Sequence, residues 1–141
     1  LIKNHTCSIG CASVEEIVNL GINEATFLAI ERALASLSPI PTFMLIDGNY
    51  KKKFSIPSLD VIKGDSISTS IAAASIIAKV YRDTLMKQIS LDFPEYCWHS
   101  NVGYGTKEHS DALFKYGICT HHRTNYKPIA EIVLAVSSGL K

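Results

Sequence analysis

The spacing of apolar residues predicts an N-terminal strand followed by two helices. Residues Cys7 to Ser13 alternate in the manner of a strand that ends in a turn. Val14 to Leu20 has helical spacing and stops at Gly21. Asn23 to Leu37 repeats its apolar residues every three or four positions, which predicts a helix with Asn23 as its N-cap.

Two short apolar runs further along predict strands of one sheet. They are Thr42 to Ile46 and Leu59 to Ile62, and each is followed by a polar turn that contains an aspartate. Continuous apolar runs of this length are typical of buried strands in a parallel sheet. We therefore expect both strands in the interior of a sheet.

The longest predicted element is a helix from about Ile67 to Ile89. Its first half is small and apolar on every face, which predicts that it is buried. Shorter helices are predicted from the N-cap Thr106 to Tyr116 and over residues 129–136, with a loop over residues 95–105. This order predicts an α/β fold, with residues 1–141 as a single domain and residues 129–141 as its C-terminal helical tail.

The composition is that of a folded protein. Of 141 residues, 47% are hydrophobic and 19% are charged, which excludes a globally disordered chain. The longest nearly apolar stretch, residues 71–78, is far shorter than the ~18–20 residues that cross a bilayer. No leader-like segment opens the chain, and the four cysteines lack the spacing of a zinc site. We expect a cytoplasmic protein with reduced thiols and no membrane partner.

The net charge of +1 is unevenly distributed. Residues 1–50 carry a net charge of −3, and residues 51–127 carry +4. A basic second half, with lysines at 51–53, is compatible with a partner that bears phosphates. Solvated surface lysines would give the same pattern, so charge alone does not decide between the two interpretations.

Two aspartates follow the predicted strands. Asp47 comes directly after Ile46, and Asp65 follows Ile62 with two residues between them. If the strands are neighbours, both carboxylates lie at one edge of the sheet. Converging carboxylates share a proton or bind a hard cation such as Mg²⁺ or Mn²⁺. Aspartates after strands are also common turn formers, and that interpretation stays open at this point.

Lys63 and Ser66 flank Asp65 in the sequence. A lysine and a hydroxyl beside a metal-binding carboxylate suit a phosphodiester substrate. The alternative is structural: Ser66 or Ser68 caps the long helix, and Lys63 is an ordinary surface residue.

Tyr104 stands between two glycines just before a predicted helix. The segment is not a phosphate-binding loop, because it lacks the Gly-Lys-Ser/Thr ending. A tyrosine held in such a loop can stack on a sugar or a base, and packing on the adjacent helix is the alternative. No nucleophile motif accompanies the histidines of the last third, so we interpret most of them as surface or internally satisfied residues: His99, His109, His121 and His122.

Taken together and in order, five motifs resemble the ribonuclease HII family. They are LIDGN at 45–49, KGDS at 63–66, AASIIAKVYRD at 73–83, GYGT at 103–106 with His109, and His122-Arg123. One such motif alone would be unspecific. The resemblance extends upstream through IGCAS at 9–13 and downstream to about Pro128.

The resemblance implies a ribonuclease H-like α/β fold, a mixed sheet flanked by helices. It also implies metal-dependent endonucleolytic cleavage of RNA in RNA–DNA hybrids, and of duplex DNA with a single embedded ribonucleotide, in ribonucleotide excision and DNA replication and repair. Asp47 and Asp65 match two of the family's four acidic residues, which serve two-metal hydrolysis with Mg²⁺ or Mn²⁺. Tyr104 matches the tyrosine that stacks on the sugar at the ribonucleotide–DNA junction. Lys63 and Ser66 are then substrate-binding candidates, and the complete enzyme is expected to be monomeric.

One part of the family pattern has no counterpart in residues 1–20. It is an adjacent Asp-Glu pair in an N-terminal strand, followed by a Gly-Arg-Gly loop. We therefore expect a fold truncated at its N-terminus. The family's strand is central in its sheet, so its loss is expected to open edges and apolar faces. Two carboxylates are a poor site for two divalent ions, and we predict that the chain alone is marginally stable and inactive or nearly so.

The sequence is compatible with three different functions. The first is a ribonuclease HII whose N-terminal segment lies outside this chain. The second is a non-catalytic remnant or split half that at most binds hybrid duplexes through Tyr104 and the lysines at 51–53. A nucleotide-binding α/β module is a third interpretation, but no phosphate-binding loop supports it.

Overall fold

A computed structural model describes residues 7–138, with Val136 described by its backbone alone. These residues form two compact units: unit 1 comprises the described residues up to 12 and residues 22–79, and unit 2 comprises 13–21 and those from 80 onward. The strands are β1 (Met44–Asp47) and β2 (Ser58–Val61), and the helices are α1 (Val14–Leu20), α2 (Ile22–Ala35), α3 (Thr69–Asp92), α4 (Trp98–Asn101), α5 (Lys107–Tyr116) and α6 (Lys127–Ser137). Within this described range, no helix is both long enough and apolar enough to cross a membrane.

The predicted α/β class is confirmed by a parallel strand pair in unit 1. Met44 lies opposite Ser58, and the register continues to Asp47 opposite Val61. The ladder begins where Met44 N–H donates to the Pro57 carbonyl and ends where Gly48 N–H donates to the Val61 carbonyl, both at 3.0 Å. Because the strands are parallel and in register, both end at the same edge of the sheet.

The strand predicted over Cys7 to Ser13 is wrong, because this segment has no regular secondary structure. It lies along α2 instead. The Ser8 hydroxyl donates to the Ala33 carbonyl, and Arg32 Nη1 donates to the Cys11 carbonyl at 2.7 Å. The sheet in the described residues has only two strands, so the segment has no strand beside it with which to form a ladder. Cys7 and Cys11 are exposed free thiols and do not pack on a strand face.

The burial predicted for the strands and for the first half of α3 is also wrong. In β1 only Ile46 is buried, while Leu45 is 41% exposed. Ile71 of α3 is buried, but Ala74 and Ile76 are exposed. α3 therefore exposes small, apolar residues to solvent, although its composition is typical of a buried helix.

Unit 2 has an aromatic core. Trp98 of α4 is 2% exposed, and its ring stacks on Tyr96 with the centroids 5.0 Å apart. The Tyr96 hydroxyl donates to the Gly117 carbonyl at 3.1 Å. Side chains from three longer helices surround these rings: Met86, Ala112, Leu113, Ile129 and Ile132. The predicted loop over 95–105 is therefore wrong in part, because α4 interrupts it and supplies the largest core residue.

The helix ends show which capping predictions hold. Thr106 caps α5, since its hydroxyl accepts from His109 N–H at 3.3 Å, and this prediction is confirmed. Asn23 as the cap of α2 is wrong, because the helix already begins at Ile22. The helix predicted over 129–136 is observed as α6, and residues 139–141 lie outside the described residues. The assignment of residues 1–141 to one domain, with 129–141 as a tail, stays a prediction.

Two buried histidines in unit 2 form a defined hydrogen-bond chain. Cys119 N–H donates to His122 Nδ1 at 3.0 Å, so this nitrogen carries no proton. The proton of neutral His122 is then on Nε2, which lies 3.2 Å from His109 Nε2. His109 accepts there and carries its own proton on Nδ1, which is buried without a partner. Both rings are therefore held neutral, and they are 6% and 7% exposed.

We expect acid to destabilise unit 2 through this pair. Burial lowers the pKa of His109 below its usual value, and burial together with the His109 ring lowers the pKa of His122 to about 4. The unfolded chain binds protons below pH ~6.5 while the folded chain does not. The free energy of unfolding should thus be level above pH ~7. For His122 it should fall by up to about 1.4 kcal/mol per pH unit as the pH drops from ~6.5 toward 4, and His109 adds to the loss in the same direction. Urea unfolding at several pH values measures this slope.

A His122→Asn variant provides the comparison. Asparagine can accept from Cys119 N–H but binds no proton, so the variant should be less stable at pH 7 and show a flatter pH dependence. The other titratable groups near the pair, Cys119, Tyr96, His121 and Glu95, are unchanged in it. Equal slopes in the two proteins would contradict the assignment.

Candidate active site

The two aspartates singled out in the sequence lie at the carboxyl edge of the strand pair in unit 1. Asp47 is the last residue of β1, and its Oδ1 accepts the N–H of Gly64 at 2.8 Å. Gly64 directly precedes Asp65, so this hydrogen bond joins the end of β1 to the turn that carries the second carboxylate. Both aspartates are exposed at this edge. The structure therefore brings together the two exits that the sequence predicts to converge.

The turn that carries Asp65 is a tight 3₁₀ segment, Gly64–Ser66. It is entered through Lys63, whose φ of 54° lies in the left-handed region that non-glycine residues rarely adopt. Gly64 is required by close packing, because a Cβ there would lie 2.5 Å from Ile71 Cδ1 and 3.3 Å from Asp47 Oδ1. Backbone strain at one residue and close packing at the next fix the position of Asp65.

The other two residues of this motif are exposed around the carboxylates. Ser66 Oγ lies 3.4 Å from Asp65 Oδ1, and Lys63 presents its side chain to solvent. The alternative role of a helix cap falls to Ser68, since its hydroxyl lies 3.5 Å from Ile71 N–H in the first turn of α3. Ser66 and Lys63 are thus available to a ligand at the sheet edge.

Tyr104 belongs to unit 2 and is 65% exposed. Its loop is held by buried Asn101, which uses three groups. Asn101 Nδ2 donates to the Tyr96 carbonyl, its Oδ1 accepts from Gly103 N–H, and its backbone carbonyl accepts from Tyr104 N–H, at 2.8, 2.9 and 2.8 Å. Gly103 has a φ of +87°, which favours glycine. Asn101 was not predicted from the sequence, although an asparagine two residues before a glycine is a signal of such a turn.

The three lysines at 51–53 differ in their contacts and exposure. Lys52 pairs with Glu24 at 2.8 Å and lies 4.5 Å from the centroid of the Phe27 ring. Lys51 and Lys53 are exposed. A hydrogen bond connects this loop to β2, since Tyr50 N–H donates to Asp60 Oδ2 at 2.7 Å. Two of the three lysines therefore present their charge to solvent.

The carboxylates do not by themselves form a site for divalent cations. Across residues 7–138, no group of three or more histidine, cysteine, aspartate or glutamate side chains is placed to hold a metal ion. Mg²⁺ and Mn²⁺ take about six oxygen ligands each, and Asp47 Oδ1 already accepts a backbone hydrogen bond. Two carboxylates would need further oxygen ligands to hold such an ion.

A family model of ribonuclease HII matches residues 3–129. The chain belongs to the ribonuclease HII family. It is 50% identical over 127 residues to a ribonuclease HII of Jannaschia, an alignment that covers 89% of this chain and 64% of that protein. A ribonuclease HII of Chlamydia muridarum is 48% identical over 128 residues, covering 91% of this chain and 58% of the relative. The resemblance seen in the five motifs is confirmed.

The ribonuclease HII fold is supported by a solved structure as well. The ribonuclease H2 from Pyrococcus horikoshii OT3 superposes with a TM-score of 0.71 at 20% identity, covering 85% of this chain and 64% of that one. At this identity the likeness concerns the fold alone. The chain spans 56 to 64% of the length of the curated ribonuclease HII relatives it matches.

Proposed function

We propose that this chain supplies the Asp47–Asp65 part of the active centre of an endoribonuclease. The substrates would be RNA in RNA–DNA hybrids and duplex DNA with a single embedded ribonucleotide. The observation that carries the proposal is the hydrogen bond from Gly64 N–H to Asp47 Oδ1, which sets both carboxylates at one sheet edge. Membership of the ribonuclease HII family supports the choice of substrate class.

The cofactor we propose is Mg²⁺ or Mn²⁺, bound jointly by Asp47, Asp65 and oxygen ligands from outside this chain. Carboxylate oxygens are the ligands that these hard cations prefer. Lys63 and Ser66 flank the carboxylates and would contact the phosphodiester, while Tyr104 would stack on the sugar at the junction. A two-metal mechanism, a cytoplasmic location, a monomeric enzyme and a role in ribonucleotide excision are parts of the same proposal.

Complementation tests this function. The substrate is duplex DNA with one embedded ribonucleotide, in Mg²⁺ or in Mn²⁺. The chain is assayed alone and mixed with a polypeptide made of the part of the Jannaschia ribonuclease HII that it does not match. We expect cleavage 5′ to the ribonucleotide in the mixture only, with none of an all-DNA duplex. Cleavage by the chain alone would refute the prediction that it is inactive.

A second candidate function is binding of hybrid duplexes without cleavage. The exposed Lys51 and Lys53 and the exposed ring of Tyr104 favour it, together with the incomplete cation site. The same experiment distinguishes the two. Saturable, salt-sensitive binding of the duplex by a folded chain, with no cleavage in either sample, would support the non-catalytic remnant.

A further inference from the structure

Helix α4 of unit 2 ends at a buried asparagine, Asn101. Asn101 is 6% exposed, and buried polar side chains in proteins are almost always hydrogen-bonded. Its Nδ2 donates to the carbonyl of Tyr96 in the aromatic core, and its Oδ1 accepts from the N–H of Gly103. The side chain therefore connects the core of unit 2 to the loop that carries Tyr104.

The residue between Asn101 and Gly103 has a strained backbone. Val102 has a φ of 44°, in the left-handed region where a β-branched residue is a genuine outlier. Gly103 follows with a φ of +87°, so the chain turns sharply as it leaves α4. Such strain persists only where the surrounding structure holds it, and it is concentrated at functional sites. The hydrogen bond between Asn101 Oδ1 and Gly103 N–H spans Val102 and stabilises this turn.

The rest of the loop is fixed by contacts on both sides. Gly103 lies so close to α3 that a Cβ there would be 3.3 Å from Arg82 Nη2 and 3.3 Å from Met86 Cε. The Tyr104 carbonyl accepts from the N–H of Thr106, the residue that caps α5, at 2.9 Å. Tyr104 therefore combines a fixed backbone with a ring that is 65% exposed. An exposed ring on a rigid support suits ligand contact, because binding orders little of the protein.

Discrimination between two sugars requires such a fixed position. A ribonucleotide differs from a deoxyribonucleotide at its sugar by a single 2′-hydroxyl. A ring that contacts the sugar senses this difference only when its position is held to within about 0.5 Å. We propose that Asn101 is a positioning residue: by fixing the loop through Gly103, it gives the Tyr104 ring its selectivity for a ribonucleotide over a deoxyribonucleotide. This role depends on the stacking function proposed above for Tyr104.

Binding without cleavage tests the role of Asn101. The full chain is titrated, without divalent cations, with a short fluorescent duplex that contains one ribonucleotide and with the same duplex made of DNA only. We expect the unsubstituted chain to prefer the first duplex by about fivefold. Asn101→Ala should abolish this preference and leave the affinity for the DNA duplex within about twofold, because binding of plain duplex depends on phosphate contacts. Amide exchange at Gly103 and Tyr104 should become about tenfold faster or more in this variant.

Two comparisons distinguish positioning from a general effect on stability. Ile132→Ala removes a buried side chain of α6 from the same core, so it should destabilise unit 2 but leave the preference unchanged. Tyr104→Leu should remove the preference by itself. Adding Asn101→Ala to Tyr104→Leu should then have no further effect on it, because Asn101 acts through the Tyr104 ring.

Gly103→Ala replaces Asn101→Ala if the latter does not fold. Alanine at a φ of +87° is strained, and its Cβ would press on Arg82 and Met86, so the loop must shift while Asn101 stays in place. The preference for the ribonucleotide should be lost here as well. Circular dichroism of each variant shows whether it is folded.

Three results would overturn the role of Asn101. They are the absence of any preference in the unsubstituted chain, a preference that a folded Asn101→Ala or its replacement Gly103→Ala retains, and an equal loss of preference in Ile132→Ala. Failure of the proposed nuclease function is a separate outcome. The binding assay needs neither metal nor cleavage, so a preference that depends on Asn101 can be present while the complemented mixture cleaves nothing.

Discussion

Replacement of Asp47 by asparagine is expected to abolish cleavage in the complemented mixture, by about a thousandfold or more. The side chain stands at the end of β1, and its Oδ1 accepts from Gly64 N–H at 2.8 Å. Asparagine can keep that hydrogen bond through its own carbonyl oxygen, so the turn that carries Asp65 should stay in place. The substitution removes the negative charge, and with it the affinity of the site for a hard cation. The rate of cleavage at the embedded ribonucleotide measures the effect.

Asp60→Asn is the matched control for this experiment. Asp60 lies on the neighbouring strand β2, is partly buried, and also accepts a backbone hydrogen bond, from Tyr50 N–H at 2.7 Å. The same chemical change there should leave cleavage within about twofold of the unsubstituted mixture, since that carboxylate is engaged in closing a loop. If both variants lost activity equally, the effect would reflect general damage to unit 1. If Asp47→Asn stayed active, Asp47 would be a turn former and the proposed active centre would be wrong.

The carboxylate pair was predictable because the signals for it are local. A short apolar run followed by an aspartate predicts where a strand ends, and the two strands lie within two residues of their predicted positions. Parallel pairing then brings their exits to one edge. The same holds for α5, because a threonine directly before a predicted helix is typical of an N-cap, and Thr106 occupies that position. The order of the five motifs indicated the family, which composition and charge could not indicate.

The errors arose where a residue's environment depends on distant partners. The alternation at Cys7 to Ser13 is compatible with a strand, but a ladder needs a neighbour, and the segment lies along α2. Small apolar residues in α3 favour burial, yet Ala74 and Ile76 have no cover in the described part of the chain. The contact between His109 and His122 is likewise non-local, because the two residues are 13 positions apart in the sequence. No periodic pattern in the sequence predicts such a contact.

Gly10→Ala should release the segment at residues 7–12 from α2 and lower the stability of unit 1 by about 3 kcal/mol. A Cβ at Gly10 would overlap the Ala29 carbonyl oxygen and would lie 2.6 Å from the Ala33 nitrogen. Both are helix backbone atoms, which cannot move aside as a flexible side chain can. The segment can avoid the overlap only by leaving the helix, and it then gives up the hydrogen bonds from Ser8 and from Arg32. Thermal unfolding should shift down by roughly 10 °C or more.

Gly105→Ala is the control for Gly10→Ala, because a Cβ at Gly105 meets nothing within 4 Å and its φ is not in the left-handed region. It should change the unfolding temperature little. Limited proteolysis and amide exchange at residues 7–12 distinguish release of the segment from global unfolding. A variant with native stability and native protection of residues 7–12 would show that the close approach of Gly10 to α2 is not required.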